Sequence, residues 1–110
     1  MIRKCFISLL FLTCGSAFSG ELVRYATLAE VASNGSNTTN FAVLVEGGTG
    51  ICAGSPTNWI YFSETKAPSI ASYNQSFSIA LAALSTGKKV RIHNYTDNSC
   101  AGADFISISK

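Results

Sequence analysis

Residues 72–93, with the sequence SYNQSFSIALAALSTGKKVRIH, decide the fold because the period of the apolar side chains changes within them. In the first part the apolar side chains recur at helical spacing and form one stripe, made of Tyr73, Phe77, Ala80, Leu81 and Leu84. In the last part apolar and polar side chains alternate, which is the period of a strand. The stretch therefore predicts an amphipathic helix followed directly by a strand.

The ends of this helix are marked by their own signals. Ser72, with Gln75 three residues later, forms a capping-box pattern, and Gly87 stands where a left-handed C-terminal cap would lie. We therefore place the helix at residues 72–85. On the strand that follows, Val90 and Ile92 share the core face, which the pattern continues to Tyr95.

Strands are predicted on both sides of this segment. Alternating or β-branched and aromatic residues indicate strands at residues 22–32, 41–45 and 59–62, a further strand beginning at Ile51, and a last strand at residues 105–108. The connections are short, which favours antiparallel pairing. The order is several strands, one helix and two strands, as in a small OB-like antiparallel barrel. An open α+β sheet with one packed helix is the competing architecture.

The N-terminus has the order of a secretory signal peptide. Arg3 and Lys4 precede an apolar run, and small residues then lead to Ser19, after which we place the cleavage. Residues 20–110 then form one small domain, secreted or periplasmic. The apolar run is shorter than the roughly 20 residues of a membrane-spanning helix, so no stable membrane anchor is expected. Lipid attachment at Cys14 is the other alternative, although Thr13 before it is not a typical lipoprotein residue.

Two cysteines, Cys52 and Cys100, remain after cleavage. An even pair in an oxidising compartment predicts a disulfide, and two free buried thiols are the alternative. Loss of Arg3 and Lys4 also leaves six basic and six acidic side chains, so the processed domain carries no net formal charge. A neutral domain gives no electrostatic footprint for nucleic acid, and we expect none as a partner.

No catalytic constellation is visible in the sequence, and we expect a non-enzymatic protein without a cofactor. His93 is the single histidine, and the six carboxylates are scattered along the chain. The glycine-rich segment at residues 47–50 lacks the lysine and the helix of a phosphate-binding loop, which favours a turn. Two isolated cysteines and one histidine have no metal-ligand spacing.

Binding is the better-supported role. Alternation puts Trp59 and Tyr61 on one face of their strand, opposite Ile60 and Phe62, so that two aromatic rings are available to a sugar or a partner protein. The alternative is that both faces are covered. Arg91 and His93 lie on the polar face of the strand after the helix. We take Trp59, Tyr61, Arg91 and His93 as the candidate binding surface.

The helix-to-strand segment also resembles a known family. A Ser72-Tyr73 helix start, a Thr86-Gly87 turn and a Val90-Arg91-Ile92 strand, with Cys52 and Trp59 upstream, are similar to the corresponding part of the B subunits of subtilase-cytotoxin and typhoid-toxin type. The resemblance implies an exported OB-fold, assembly as a homo-pentamer and recognition of a glycan. No binding residue is carried over, because the sugar-binding segment of that family has no counterpart here. The alternative is a monomeric periplasmic or secreted accessory or inhibitor-type protein that acts through protein contacts.

Overall fold

The computed structural model describes residues 20–34, 40–54 and 58–110, which contain five strands and one helix. In chain order these are β1 (Glu21–Asn34), β2 (Asn40–Glu46), β3 (Trp59–Ser63), α1 (Ile70–Thr86), β4 (Lys89–His93) and β5 (Phe105–Ser109). The predicted order of strands, one helix and two strands is confirmed. The signal peptide predicted at residues 1–19 lies outside the described residues.

All five strands belong to one antiparallel sheet with the order β3-β2-β1-β4-β5. The two ends of the sheet approach each other where Phe62 of β3 forms a parallel bridge with Ala103. Two hydrogen bonds reinforce this contact, from Tyr61 N–H to the Cys100 carbonyl (2.9 Å) and from Ala103 N–H to the Tyr61 carbonyl (3.0 Å). The fold is therefore mostly β and OB-like, as predicted, with a sheet that curls strongly but is not closed.

Strand β1 is the longest strand and serves both halves of the sheet. Its first part pairs with β4 and its second part with β2. The register shifts at three points along it, between Glu21 and Val23, Arg24 and Ala26, and Leu28 and Glu30. Such irregularities bend a strand and increase its twist, which allows β1 to pass from one half of the curled sheet to the other.

The core lies between the inner face of the sheet and helix α1. The ring of Phe41 stacks on Phe62 with 4.6 Å between centroids, and the rings of Tyr73 and Phe77 from α1 pack against it at 5.5 and 5.1 Å. Alternation along β3 and β4 follows this arrangement, because Ile60, Phe62, Val90 and Ile92 are all buried. The prediction for Tyr95 is wrong: Asn94 continues the buried face, and Tyr95 is 68% exposed on the face of His93.

Helix α1 begins two residues earlier than predicted. Ser69 is the N-cap, with an extended backbone and a hydroxyl that accepts a hydrogen bond from Ser72 N–H at 3.1 Å. Ser72 is therefore the partner of the cap and not the cap itself, and the predicted capping box at Ser72 is wrong. At the other end Gly87 adopts the predicted left-handed conformation, with φ of 70°, and its N–H donates to the Ala83 carbonyl. Within the described ranges, no helix combines the length and apolarity needed to cross a bilayer.

The segment after β2 also differs from the prediction. Residues 51–54 form a turn, so the strand predicted to begin at Ile51 is absent. Instead the preceding loop runs beside β1, where Arg24 and Thr49 exchange two backbone hydrogen bonds of 2.8 and 2.9 Å. Glycine is required for this approach, because a Cβ atom at Gly48 or Gly50 would lie 2.5 Å from a carbonyl oxygen of β1.

The predicted disulfide joins Cys52 to Cys100, so the alternative of two free thiols is wrong. Cys52 belongs to the turn at residues 51–54, and Cys100 lies in the connection between β4 and β5. The bond therefore fastens two loops that approach the same end of the sheet.

Replacing both cysteines (Cys52→Ala with Cys100→Ala) is expected to lower the free energy of unfolding by about 4 kcal/mol, because the bond closes a loop of 48 residues. Urea denaturation measures the difference. Wild-type protein in reducing agent is the control and should lose the same amount, whereas the double variant should not respond to the reductant. A loss below about 1 kcal/mol would contradict an important role of the bond in stability.

Candidate functional site

The four residues predicted as a binding surface fall on two separate patches of the outer face. Trp59 and Tyr61 lie on β3, and Arg91 and His93 lie on β4. Strands β2 and β1 lie between β3 and β4 in the sheet. The structure therefore brings the residues together within each pair and keeps the pairs apart.

The first patch is an aromatic platform, which we define by Trp59, Tyr61, Ala32, Ser33 and Ala42. These residues line a shallow open groove of about 170 Å³. Ala42 is opposite Tyr61 in the β2–β3 ladder and opposite Ala32 in the β1–β2 ladder, so the three side chains share the outer face. Two methyl groups thus form the floor, and the larger rings rise beside it.

The predicted division of β3 into two faces is confirmed. Ile60 is fully buried and Phe62 is 2% exposed, whereas Tyr61 is 37% exposed and Trp59 is partly exposed. None of the residues that line the groove carries a charge. An apolar floor with aromatic walls and few polar groups suits a ring with apolar C–H faces better than it suits an ion.

The second patch contains Arg91 and His93, whose side chains contact each other directly. His93 Nε2 accepts a hydrogen bond from Arg91 Nε at 3.1 Å and lies 3.0 Å from the Arg91 terminal nitrogen. The imidazole stacks on the ring of Tyr95 at 5.3 Å and meets Phe105 edge to face at 5.7 Å. Burial, and next the charge of Arg91, lower the pKa of His93, while Glu21 acts in the opposite direction. His93 is therefore held in its neutral form at pH 7.

The surroundings of His93 do not resemble a nucleophilic site. Within the described residues its side chain contacts Arg91, Glu21 and the two rings, and no hydroxyl or thiol group lies within hydrogen-bonding distance. The same part of the chain contains no group of three or more His, Cys, Asp or Glu side chains placed to hold a metal ion. What the arrangement offers chemically is a set of exposed rings and cationic donors.

Sequence reasoning missed two exposed rings beside this second patch. Tyr25 is 60% exposed although it belongs to β1, and its φ of 61° is in the left-handed region. Tyr95 was expected on the core face. Period-two alternation from Val90 and Ile92 already places Tyr95 on the face of His93, so its exposure had a signal in the sequence. The exposure of Tyr25 had none, because it lies at a shift in the β1–β4 register.

Comparison with known proteins gives one family. Residues 2–110 match a family described as a family of unknown function (DUF5992). No curated protein and no solved structure matches the chain.

The partly buried imidazole makes stability depend on pH in a definite direction. His93 titrates near 6.5 when unfolded and lower when folded, so the unfolded state binds more protons between these two pKa values. The contribution of His93 to the free energy of unfolding is therefore fully present above about pH 6.5. It is lost as the pH is lowered from there towards the pKa of the folded state. Urea denaturation at pH 7.5 and pH 5.5 should show a larger loss for wild type than for His93→Gln. Equal losses in the two proteins would contradict this assignment.

Proposed function

Since the chain belongs to DUF5992, a family of unknown function, we propose from its own surface that it is an exported binding domain that recognises a glycan and catalyses no reaction. The single observation that carries the proposal is the aromatic platform. Its rings are partly exposed beside a floor of small side chains, on the outer face of β3, β2 and β1.

The position of the platform supports this role. OB-folds bind oligosaccharides and oligonucleotides on the face of their second and third strands and on the neighbouring loops. Tyr61 and Trp59 belong to the third strand, and Ala42 to the second. The uncharged groove favours the sugar over the nucleic acid, because phosphate contacts dominate nucleic-acid affinity and require cationic side chains.

Export is part of the proposal. The charged, apolar and small-residue order of residues 1–19 supports a cleaved signal peptide. The Cys52–Cys100 bond supports the same compartment, because disulfides persist in the periplasm and outside the cell and are rare in the cytosol.

The resemblance of the helix-to-strand segment to toxin B subunits adds assembly to the proposal, as a ring of five copies. Helix α1 carries no charged residue, and Leu81 and Leu84 on it are 42% and 37% exposed. An uncharged helix with outward leucines favours a protein contact. The same observation favours the second candidate, a monomeric accessory protein that uses this helix to bind a different protein.

Glycan binding is expected to depend on the two rings of the platform. Tyr61→Ala and Trp59→Ala should each lower the affinity for the glycan about tenfold, or about 1.4 kcal/mol, because stacking of an aromatic face is lost. A glycan array identifies the sugar, and calorimetry with that sugar measures the change. Ile70→Ala is the matched control, since it removes an exposed apolar side chain that neither lines the groove nor belongs to the outward leucines. The proposal fails if no glycan binds, or if the affinity of a bound glycan is the same in all four proteins.

The mass of the exported protein in solution separates the two candidates. Light scattering on a sizing column should give about five times the monomer mass, because the uncharged helix surface is covered only by assembly. Leu81→Glu with Leu84→Glu should then release monomers, since burying unpaired carboxylates is costly. A monomeric wild type would contradict the ring and favour the accessory protein.

A further inference from the structure

Apart from the aromatic platform, the structure contains a cluster of charged side chains around Glu21. The Oε2 atom of Glu21 lies 3.3 Å from Arg24 Nε, 3.4 Å from Arg91 Nε and 3.8 Å from His93 Nε2. We call these four residues the arginine cluster. One carboxylate oxygen therefore lies at ion-pair distance from two guanidinium groups of different strands, without accepting a hydrogen bond from either.

The cluster is layered, with its negative charge beneath its positive charges. The Glu21 side chain is 16% exposed and its Oε2 atom is buried, whereas the side chains of Arg24 and Arg91 are 41% and 40% exposed. Because His93 is neutral at pH 7, the cluster contains two positive charges and one negative charge. The outer layer is thus positive, in a domain whose processed form has no net formal charge.

Both guanidinium groups keep some donors for a ligand. Arg91 contacts His93 through Nε and one terminal nitrogen, so within the described part of the chain its other terminal nitrogen keeps its donors. Among the described residues, Arg24 makes a side-chain polar contact through Nε alone, although a guanidinium has five N–H donors in a rigid fork. The Glu21 carboxylate attracts this guanidinium by its charge, although its Oε2 atom accepts no hydrogen bond from it. The rigid fork of a guanidinium is suited to two parallel hydrogen bonds with a carboxylate or phosphate group.

A cleft adjoins the cluster. It has a volume of about 420 Å³ and is lined by Glu21, Arg24, Tyr25, Thr49, Gly50 and Ile51. This volume lies within the range of small-molecule sites. One wall is the loop that pairs with β1 through Arg24 and Thr49, so the cleft is bounded by hydrogen-bonded backbone on both sides.

Tyr25 is presented to this cleft at a conformational cost. A φ of 61° is strained for a bulky residue, and it occurs where the β1–β4 register shifts between Arg24 and Ala26. The ring is 60% exposed, and the Arg24 guanidinium carbon lies 5.4 Å from its centroid. On the far side of Glu21, Arg91 lies over the ring of Phe105 at 5.8 Å.

Stability alone does not account for these features. Ion pairs between partly exposed side chains contribute little to folding, and an exposed tyrosine at positive φ contributes strain without burial. Binding accounts for both, since strain of this kind persists where it positions a contact residue.

We propose that the arginine cluster and its cleft form a binding site for a small organic ligand that carries an oxyanion, either a carboxylate or a phosphate or sulfate group. The anionic group lies on the remaining donors of Arg24 and Arg91, and the remainder of the ligand lies against Tyr25 in the cleft. This site is independent of the proposed glycan site on the aromatic platform.

The test uses the full chain, expressed with its export signal and purified as the cell processes it. Inorganic phosphate, sulfate and glucuronate are titrated at constant ionic strength, with glucose as the uncharged counterpart of glucuronate. Saturable NMR shifts are expected at the backbone amides of Arg24, Tyr25 and Gly50, with a dissociation constant on the order of 1 mM for the best probe. Binding of glucuronate alone assigns a carboxylate ligand, and binding of phosphate or sulfate assigns a phosphorylated or sulfated one. Absence of saturable binding for all three anions would overturn the proposal.

Charge-removing variants identify the site. Arg24→Gln and Arg91→Gln should each weaken binding of the best probe at least tenfold, whereas Lys89→Gln, an exposed cation on the same strand as Arg91, should leave it unchanged. Equal affinities in all of these proteins would overturn the assignment. Tyr61→Ala should not alter anion binding, so failure of this site and failure of the glycan site are distinguished.

Tyr25 provides a test that does not depend on charge. Tyr25→Asn places a residue that tolerates positive φ at the bulge, so the melting temperature should stay the same or rise. If glucuronate binds, its affinity should fall in this variant, because the remainder of the ligand loses its contact with Tyr25. The affinity for phosphate should fall less, because phosphate consists of the anionic group alone. A lower melting temperature with unchanged affinity would show that Tyr25 is structural, and would overturn its place in the site.

Discussion

The structure depends on one constraint, which is that strand β1 pairs with both halves of the sheet. A strand that joins β4 over its first part and β2 over its second must bend, and β1 does so at three irregularities in its register. These bends give the sheet its OB-like curl and bring β3 close to the segment around Ala103. One of them also turns Tyr25 outward at positive φ. The feature that bends the sheet therefore also shapes its surface.

The loops at one end of the sheet are held by two different means. Backbone pairing holds the loop before β3 against β1, and this pairing requires glycine at positions 48 and 50. The Cys52–Cys100 disulfide then ties that loop to the connection between β4 and β5. Within that connection the buried Asn94 donates to the Asp97 carboxylate and accepts from two backbone N–H groups. The walls of the cleft beside the arginine cluster are thus fixed before any ligand arrives, which lowers the entropic cost of binding.

The outer face presents two surfaces of opposite character, which involve opposite ends of β1. The aromatic platform is uncharged and has a floor of alanines, so it favours the apolar face of a ring. The arginine cluster is cationic and lies over a buried carboxylate, so it favours an anion. Both are carried by strands whose inner faces form the core, which makes each surface rigid. A domain with two such surfaces is equipped to hold two ligands, or two parts of one ligand.

The sequence by itself determined the features that depend on local period and chemistry. The helix and its glycine cap, the position of the five strands, the pairing of Cys52 with Cys100 and the two faces of β3 all follow from the spacing of residue types. Local signals were misleading at Ser72 and Ile51, where Ser69 supplied a better cap and the loop paired with β1 instead of forming a strand. The tertiary structure alone decided that Trp59 and Tyr61 are separated from Arg91 and His93, and that Glu21 lies beneath two arginines. The physical reason is that a spacing pattern fixes the face on which a side chain lies. Which distant residues meet on that face is fixed by strand order, register and bulges, and these result from packing of the whole chain.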